Sequence, residues 1–396
     1  MRKYRAASGS ALLFTALVAT GCSSTDSTSS SSTSSSTATP SASASSSAAA
    51  TRGPGGPGGA GGGGGQTFTA VNLNTDGASP GGANTAAVAQ ATTAFLATLD
   101  DTQREKVAYD FSDTKARVTW SNFPSSAVPR EGIVMSELSA AQQKAADAVL
   151  QAALSTTGYQ QDEDIRASDD ELNRLGGQGA SGFGSLVDYY IAVYGEPSAT
   201  QPFTVQFGGH HLARNLTYNG GNVSQTPQFV GTEPTRFTAD GTTVEPLKAE
   251  STAMFAMIDA LGDQKASAEI TSGTFDDLVM GPGKDTGVFP ASEGLLVSEL
   301  DDDQRKAVTA ALSAYVGDLN DAAAAALLAK YESELDKTRI GWANNAGATE
   351  ENSYVRIDGP SVWIEFINTR SMSTPNIHFH SVYRDKTNDY GSTKPS

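Results

Sequence analysis

Glu131-Gly-Ile-Val-Met-Ser-Glu-Leu-Ser-Ala-Ala-Gln-Gln-Lys-Ala-Ala146 returns downstream as Glu293-Gly-Leu-Leu-Val-Ser-Glu-Leu-Asp-Asp-Asp-Gln-Arg-Lys-Ala-Val308. Eight of the sixteen positions are identical at a constant offset of 162 residues. Both copies pass from an apolar stretch to a polar residue, Ser139 or Asp301, suited to capping the free N–H groups of a helix start. Behind the caps, Leu138, Ala145, Val149 and Ala153 fall on one helical face, as do Leu300, Ala307, Ala311 and Tyr315. An earlier helix recurs too, around Thr85 to Asp100 and around Pro246 to Leu261.

Each half then turns β-rich. Tyr189 to Tyr194, Phe203 to Phe207 and His210 to Tyr218 close the first, and Ser353 to Ile357, Val362 to Ile367 and Ile377 to Arg384 close the second. The pattern predicts an α+β fold with a pseudo-twofold internal duplication. Each half is a helical part followed by antiparallel strands, and the two pack as one unit. The halves run over about 85–222 and 246–391, inside a folded region of 85–392. So long a repeat is a duplication and not a solenoid.

The N-terminus reads differently. Arg2, Lys3 and Arg5 precede an apolar run, Ala11 to Ala19, that is too short to span a bilayer but suits a signal peptide over residues 1–21. It ends at Thr20-Gly21-Cys22, and Cys22 is the only cysteine. This resembles the lipobox of bacterial lipoproteins, with Ala19 standing where leucine is usual. The resemblance implies acylation at Cys22, palmitate included, and an exported chain anchored to the membrane by lipid. Residues 22–84 read as the lipidated cysteine plus a disordered stalk, Ser/Thr/Ala-rich and then Gly/Pro-rich, which buries no apolar surface. As a random coil it reaches roughly 40 Å.

A formal net charge of -17 argues against nucleic acid as a partner, because no basic footprint is there to displace counterions. The membrane through the lipid anchor is one expected partner; a small molecule or protein of unknown identity is the other.

Chemistry gathers at the histidines. The chain has four, as His210-His211 and His378-Phe379-His380, both expected on the last strand of a half. On a strand alternate side chains share a face, so His378 and His380 project together. His210 and His211 then point oppositely, and the Asn215 and Thr217 face selects His211 unless a bulge at Gly208-Gly209 re-aims its neighbour. His211, His378 and His380, with His210 as a further candidate, form a ligand set suited to Zn, Cu or Fe. Glu365, between Ile364 and Phe366, is the catalytic candidate: a fourth ligand, a partner orienting a histidine, or a general base. Four structural histidines are the competing account.

Other apparent motifs carry less. Gly177-Gln-Gly-Ala-Ser-Gly182 lacks a preceding strand and reads as a loop. Asp301-Asp-Asp303 offsets a helix dipole. Arg384-Asp385 reads as a local ion pair, and Trp120, Trp342 and Trp363 as core or loop anchors. No Gly-x-Ser-x-Gly elbow is present.

Trp120-Ser-Asn-Phe-Pro124, Gly209-His-His-Leu212 with Asn215, and Ile377-His-Phe-His-Ser-Val-Tyr-Arg-Asp385 resemble motifs of the bacterial family catalogued as domain of unknown function 3500. The likeness runs from about Thr85 to Gly391, with Tyr383 where tryptophan is usual. It implies the extent of the fold and the choice of motifs, and no reaction. Two function classes follow: an envelope metal-binding protein that extends to a metalloenzyme, and a non-catalytic binding or scaffolding module.

Overall fold

The computed structural model describes residues 66–73, 79–176, 182–371 and 376–392. Cys22, with residues 1–65, and residues 177–181 of the glycine-rich loop lie outside them. The fold is α+β. Its first part runs α1 (Thr85–Leu96), α2 (Asp101–Val107), β1 (Ala108–Tyr109), α3 (Thr114–Arg117), β2 (Ile133–Val134), α4 (Ala140–Ala153) and α5 (Thr156–Leu175). Strands β3 (Tyr190–Tyr194), β4 (Phe203–Gly209), β5 (Leu212–Asn219), β6 (Asn222–Ser224) and β7 (Gln228–Thr232) follow, then the small hairpin β8 (Phe237–Ala239) and β9 (Thr242–Val244). The second part runs α6 (Lys248–Asp259), β10 (Leu295–Leu296), α7 (Asp302–Val316), α8 (Asp321–Glu332), β11 (Arg339–Asn344), β12 (Ser353–Asp358), β13 (Val362–Arg370) and β14 (Ile377–Asp385).

The quoted repeat does what its residues dictate. Ser139 and Asp301 each accept from the backbone three residues on, and Gln142 and Gln304 reach back to the cap, so both helices begin in a capping box. Strand order across the large sheet is β1-β3-β4-β5-β7-β14-β13-β12-β11-β10, with β2 on β3 and β6 on β5. The centre is the antiparallel pair β7 and β14, which places Gly231 opposite His380. Both sequence halves therefore feed one continuous sheet.

One face of that sheet carries the main core. Val205, Phe207, Leu216, Val230, Ile364 and Phe366 meet helix residues such as Val88, Val149, Ile165, Phe255, Leu312 and Tyr331. Beneath it a buried ion pair ties the halves: Arg214 of β5 holds Asp162 of α5 and Asp318 between α7 and α8, each at 2.6 Å. Such a group is held by its hydrogen bonds, and removing one partner strands a buried charge. The opposite face is covered by loops, with Trp120, Phe229, Met280, Trp363, Val382 and Tyr390 in contact and Phe68, Val71 and Leu73 laid against them. Folded contacts thus begin ahead of residue 85.

Trp120 and Trp363 are buried, as anchors should be. The expected Arg384–Asp385 pair is not formed. Arg384 points to the loop-covered face and pairs with Asp285 and Asp389, while Asp385 takes Lys330. Adjacent strand residues point to opposite faces, which separates them. Among the described residues no helix is long and apolar enough to cross a membrane.

Candidate metal centre

Four pieces of chain end at the same edge of the central strands: the β4–β5 turn, the end of β7, the end of β13 and the start of β14. The histidines stand there. His378 and His380 leave β14 on one face, as period-two alternation requires, opposite Thr369 and Ile367 of β13. His210 and His211 are not on a strand. They form the two-residue turn between Gly209 and Leu212, and His211 has φ 61°, in the left-handed region. That conformation costs a non-glycine residue roughly 1–2 kcal/mol. The turn abolishes the alternation that set the two side chains on opposite faces, so both rings reach the same carboxylate.

Two glycines make room. A Cβ on Gly209 would lie 2.1 Å from the Asp188 carbonyl oxygen, and one on Gly231 would lie 2.9 Å from Cδ2 of the His211 ring. The Gly231 N–H also donates to the His211 carbonyl at 2.7 Å, fixing the turn to β7.

Three of the four histidine Nδ1 atoms have a carboxylate oxygen within 3.4 Å. His210 is 2.9 Å and His211 3.4 Å from the same Oδ1 of Asp169, on α5. His380 is 2.9 Å from Asp277, whereas His378 has the Thr369 hydroxyl at 3.1 Å and Glu233 only at 3.9 Å. The other oxygen of Asp169 is 2.8 Å from the Tyr189 hydroxyl, and His210 stacks on Phe183 with ring centroids 4.1 Å apart. A carboxylate on the far nitrogen is the usual support of a metal-binding imidazole.

The near nitrogens converge. Nε2 of His378 and Nε2 of His380 are 3.0 Å apart, and the Thr369 hydroxyl is 2.8 Å from the former. One nitrogen each from His211, His378 and His380 lies within 4.8 Å of the others, and so do the ligand atoms of Asp169, His210 and His211. Two nitrogens bound to one ion at about 2.1 Å stand about 3.0–3.4 Å apart for adjacent coordination positions. The His378–His380 spacing falls at the near end of that span.

Electrostatics favour the ligand form. Burial, with the neighbouring His210 ring adding to it, pushes the His211 imidazole down to about 3. Burial pushes His378 well below the usual range too, helped by His380 and His211. Both rings are therefore neutral at pH 7 and offer a lone pair. Burial alone would raise Asp169, but the charge and the hydrogen bond of His210 outweigh it, with His211 close by adding to them, and hold it below the usual carboxylate range. His380 overcomes burial at Asp277 in the same way.

Glu365 has other duties. Its oxygens accept from the Val279 and Met280 N–H groups at 2.6 and 2.8 Å, the Trp363 indole at 2.7 Å and the Tyr354 hydroxyl at 2.9 Å. Burial pushes it up, and those four donors pull it back. It sits on the His380 face of the sheet and pins the loop that brings Asp277 to His380. It lies in neither histidine group.

Sequence reasoning missed Asp169, Asp277 and Glu233. Their spacing carries no signal. The one usable clue is general: each buried imidazole needs an acceptor for its N–H.

A family model described as "Protein of unknown function (DUF3500)" matches residues 81–392. No curated protein and no solved structure matches the chain.

Proposed function

We propose, for a chain that belongs to the family of proteins of unknown function DUF3500, the binding of a divalent transition metal by His211, His378 and His380. The observation that carries this is the buried convergence of three imidazoles, one nitrogen of each within 4.8 Å of the others. Carboxylates behind the rings support it, because they raise ligand basicity and fix ring orientation. An all-imidazole set suits zinc, copper or iron, and copper binds tightest in the general order. Three protein ligands leave the ion an open position, the arrangement of catalytic sites, so a metalloenzyme belongs to the same reading.

The location is part of the proposal. We infer from the Cys22 lipobox a folded part held outside the cytoplasm, tethered by lipid on its stalk. Acylation would remove the one thiol, which leaves no thiolate donor. A Cys22→Ser chain released from the membrane fraction supports the anchor, and one that stays with it removes the anchor from the reading. The internal duplication belongs here as well: it explains why the repeat of 131–146 at 293–308 brings equivalent helices to one sheet.

The test is elemental analysis of the mature chain, purified without a polyhistidine tag and equilibrated with zinc or copper. We expect at least one tightly held equivalent, and one fewer on His378→Ala or His380→Ala. A chain that stays metal-free while those substitutions lower only its unfolding temperature sinks the proposal and leaves the histidines structural.

A further inference from the structure

The two histidine groups share one member. His211 belongs with His378 and His380 on one side and with Asp169 and His210 on the other. An imidazole has a nitrogen on each edge of its ring, and the two edges of His211 face different neighbours. The Cδ2 edge lies against Gly231, the residue opposite His380 in the sheet. Nε2 is bonded to Cδ2 and so belongs to that same edge of the ring. Nδ1 turns to Asp169, 3.4 Å away, yet it makes no hydrogen bond although the side chain is only 1% exposed. A buried polar atom without a partner costs free energy that a ligand at that position would recover.

We infer that Asp169, His210 and Nδ1 of His211 form a second cation position, with His211 bridging two ions about 6 Å apart. This rests on the reading above for the first ion. Filling the second position breaks the remaining N–H bond of His211. That proton leaves to solvent, and the freed lone pair binds the second ion. The His210 proton moves to Nε2 so that Nδ1 can bind as well.

The probe is copper(II), titrated into the untagged mature chain with bound metal counted after chelator washing. Two equivalents are expected for the wild type, and one each for His210→Ala, Asp169→Ala and His378→Ala. Circular dichroism checks that each variant is folded, and Asp169→Asn replaces any that is not. In the wild type the second equivalent should reduce the paramagnetic resonance signal per copper, since an imidazolate couples the two spins. A wild-type limit of one equivalent, lost on His378→Ala and kept on His210→Ala, overturns the second position and leaves the first standing. Two equivalents with undiminished signal overturn the bridge. No bound copper overturns both.

Discussion

His378 and His380 reach the site by the plainest rule of β structure, and His210 and His211 reach it by interrupting one. On β14 the two rings lie on one face because one residue separates them. In the β4–β5 turn the two rings are adjacent in sequence and still meet the same Asp169 oxygen, because His211 adopts φ 61°. The strand pair is inexpensive to build. The turn pair depends on a strained residue, on two glycines that keep space clear, and on a backbone hydrogen bond to β7. Strain of this kind persists where the surroundings over-determine it, commonly at functional sites.

The largest test of that contrast is removal of the strand ligands. His380→Ala should weaken metal binding by at least about 100-fold in competition with a coloured chelator, since a ligand matters more than the 10–100-fold of an outer-shell partner. An unchanged affinity would remove the strand pair from the ligand set. Next comes acid. An unfolded histidine takes up its proton near pH 6.5, whereas the folded His211 ring resists to about 3. Between those values the unfolded chain binds more protons, so stability falls as pH falls. Urea unfolding of metal-free protein should show a loss of up to ~1.4 kcal/mol per pH unit from this ring. His211→Asn should flatten that slope, and a slope left unaltered would remove the buried neutral ring from the account.

How far the sequence foretold the centre follows from the same contrast. The repeat at 131–146 and 293–308, with its caps, made the α+β architecture and the helix starts legible, since capping is local chemistry. His378, His380 and their shared face were legible through period-two alternation. The turn was not, because no local pattern in Gly-Gly-His-His announces that a histidine will take the conformation usually left to glycine. The carboxylates were illegible for another reason: Asp169 comes from α5 and Asp277 from a loop pinned by Glu365, and only tertiary structure brings them in. Glu365 drew notice as a buried acid on a strand, and its burial is real, yet it grips the loop that carries Asp277.

Smaller effects sharpen the comparison. Gly231→Ala sets a Cβ 2.9 Å from both the His211 ring and the Phe379 carbonyl oxygen, and overpacking of that sort costs about 1–3 kcal/mol. Denaturant unfolding should register it together with weaker metal binding, whereas an unshifted midpoint would mean that the turn has slack. Asp277→Asn should weaken metal binding by about 10-fold through His380 alone. Isothermal titration of that variant against Asp169→Asn tells whether the strand pair and the turn pair lean equally on their carboxylates.

The β7–β14 pairing has a consequence for how the protein matures. Each sequence half owns two histidines, and neither owns three. A chain severed between residues 222 and 246 would therefore leave two fragments, each short of a complete ligand set. The closing contact joins strands far apart in sequence, and such contacts are made only after the entropy of a long loop has been given up. If the centre binds an ion as proposed, tight binding would report finished assembly, because it requires that β14 has found its place beside β7.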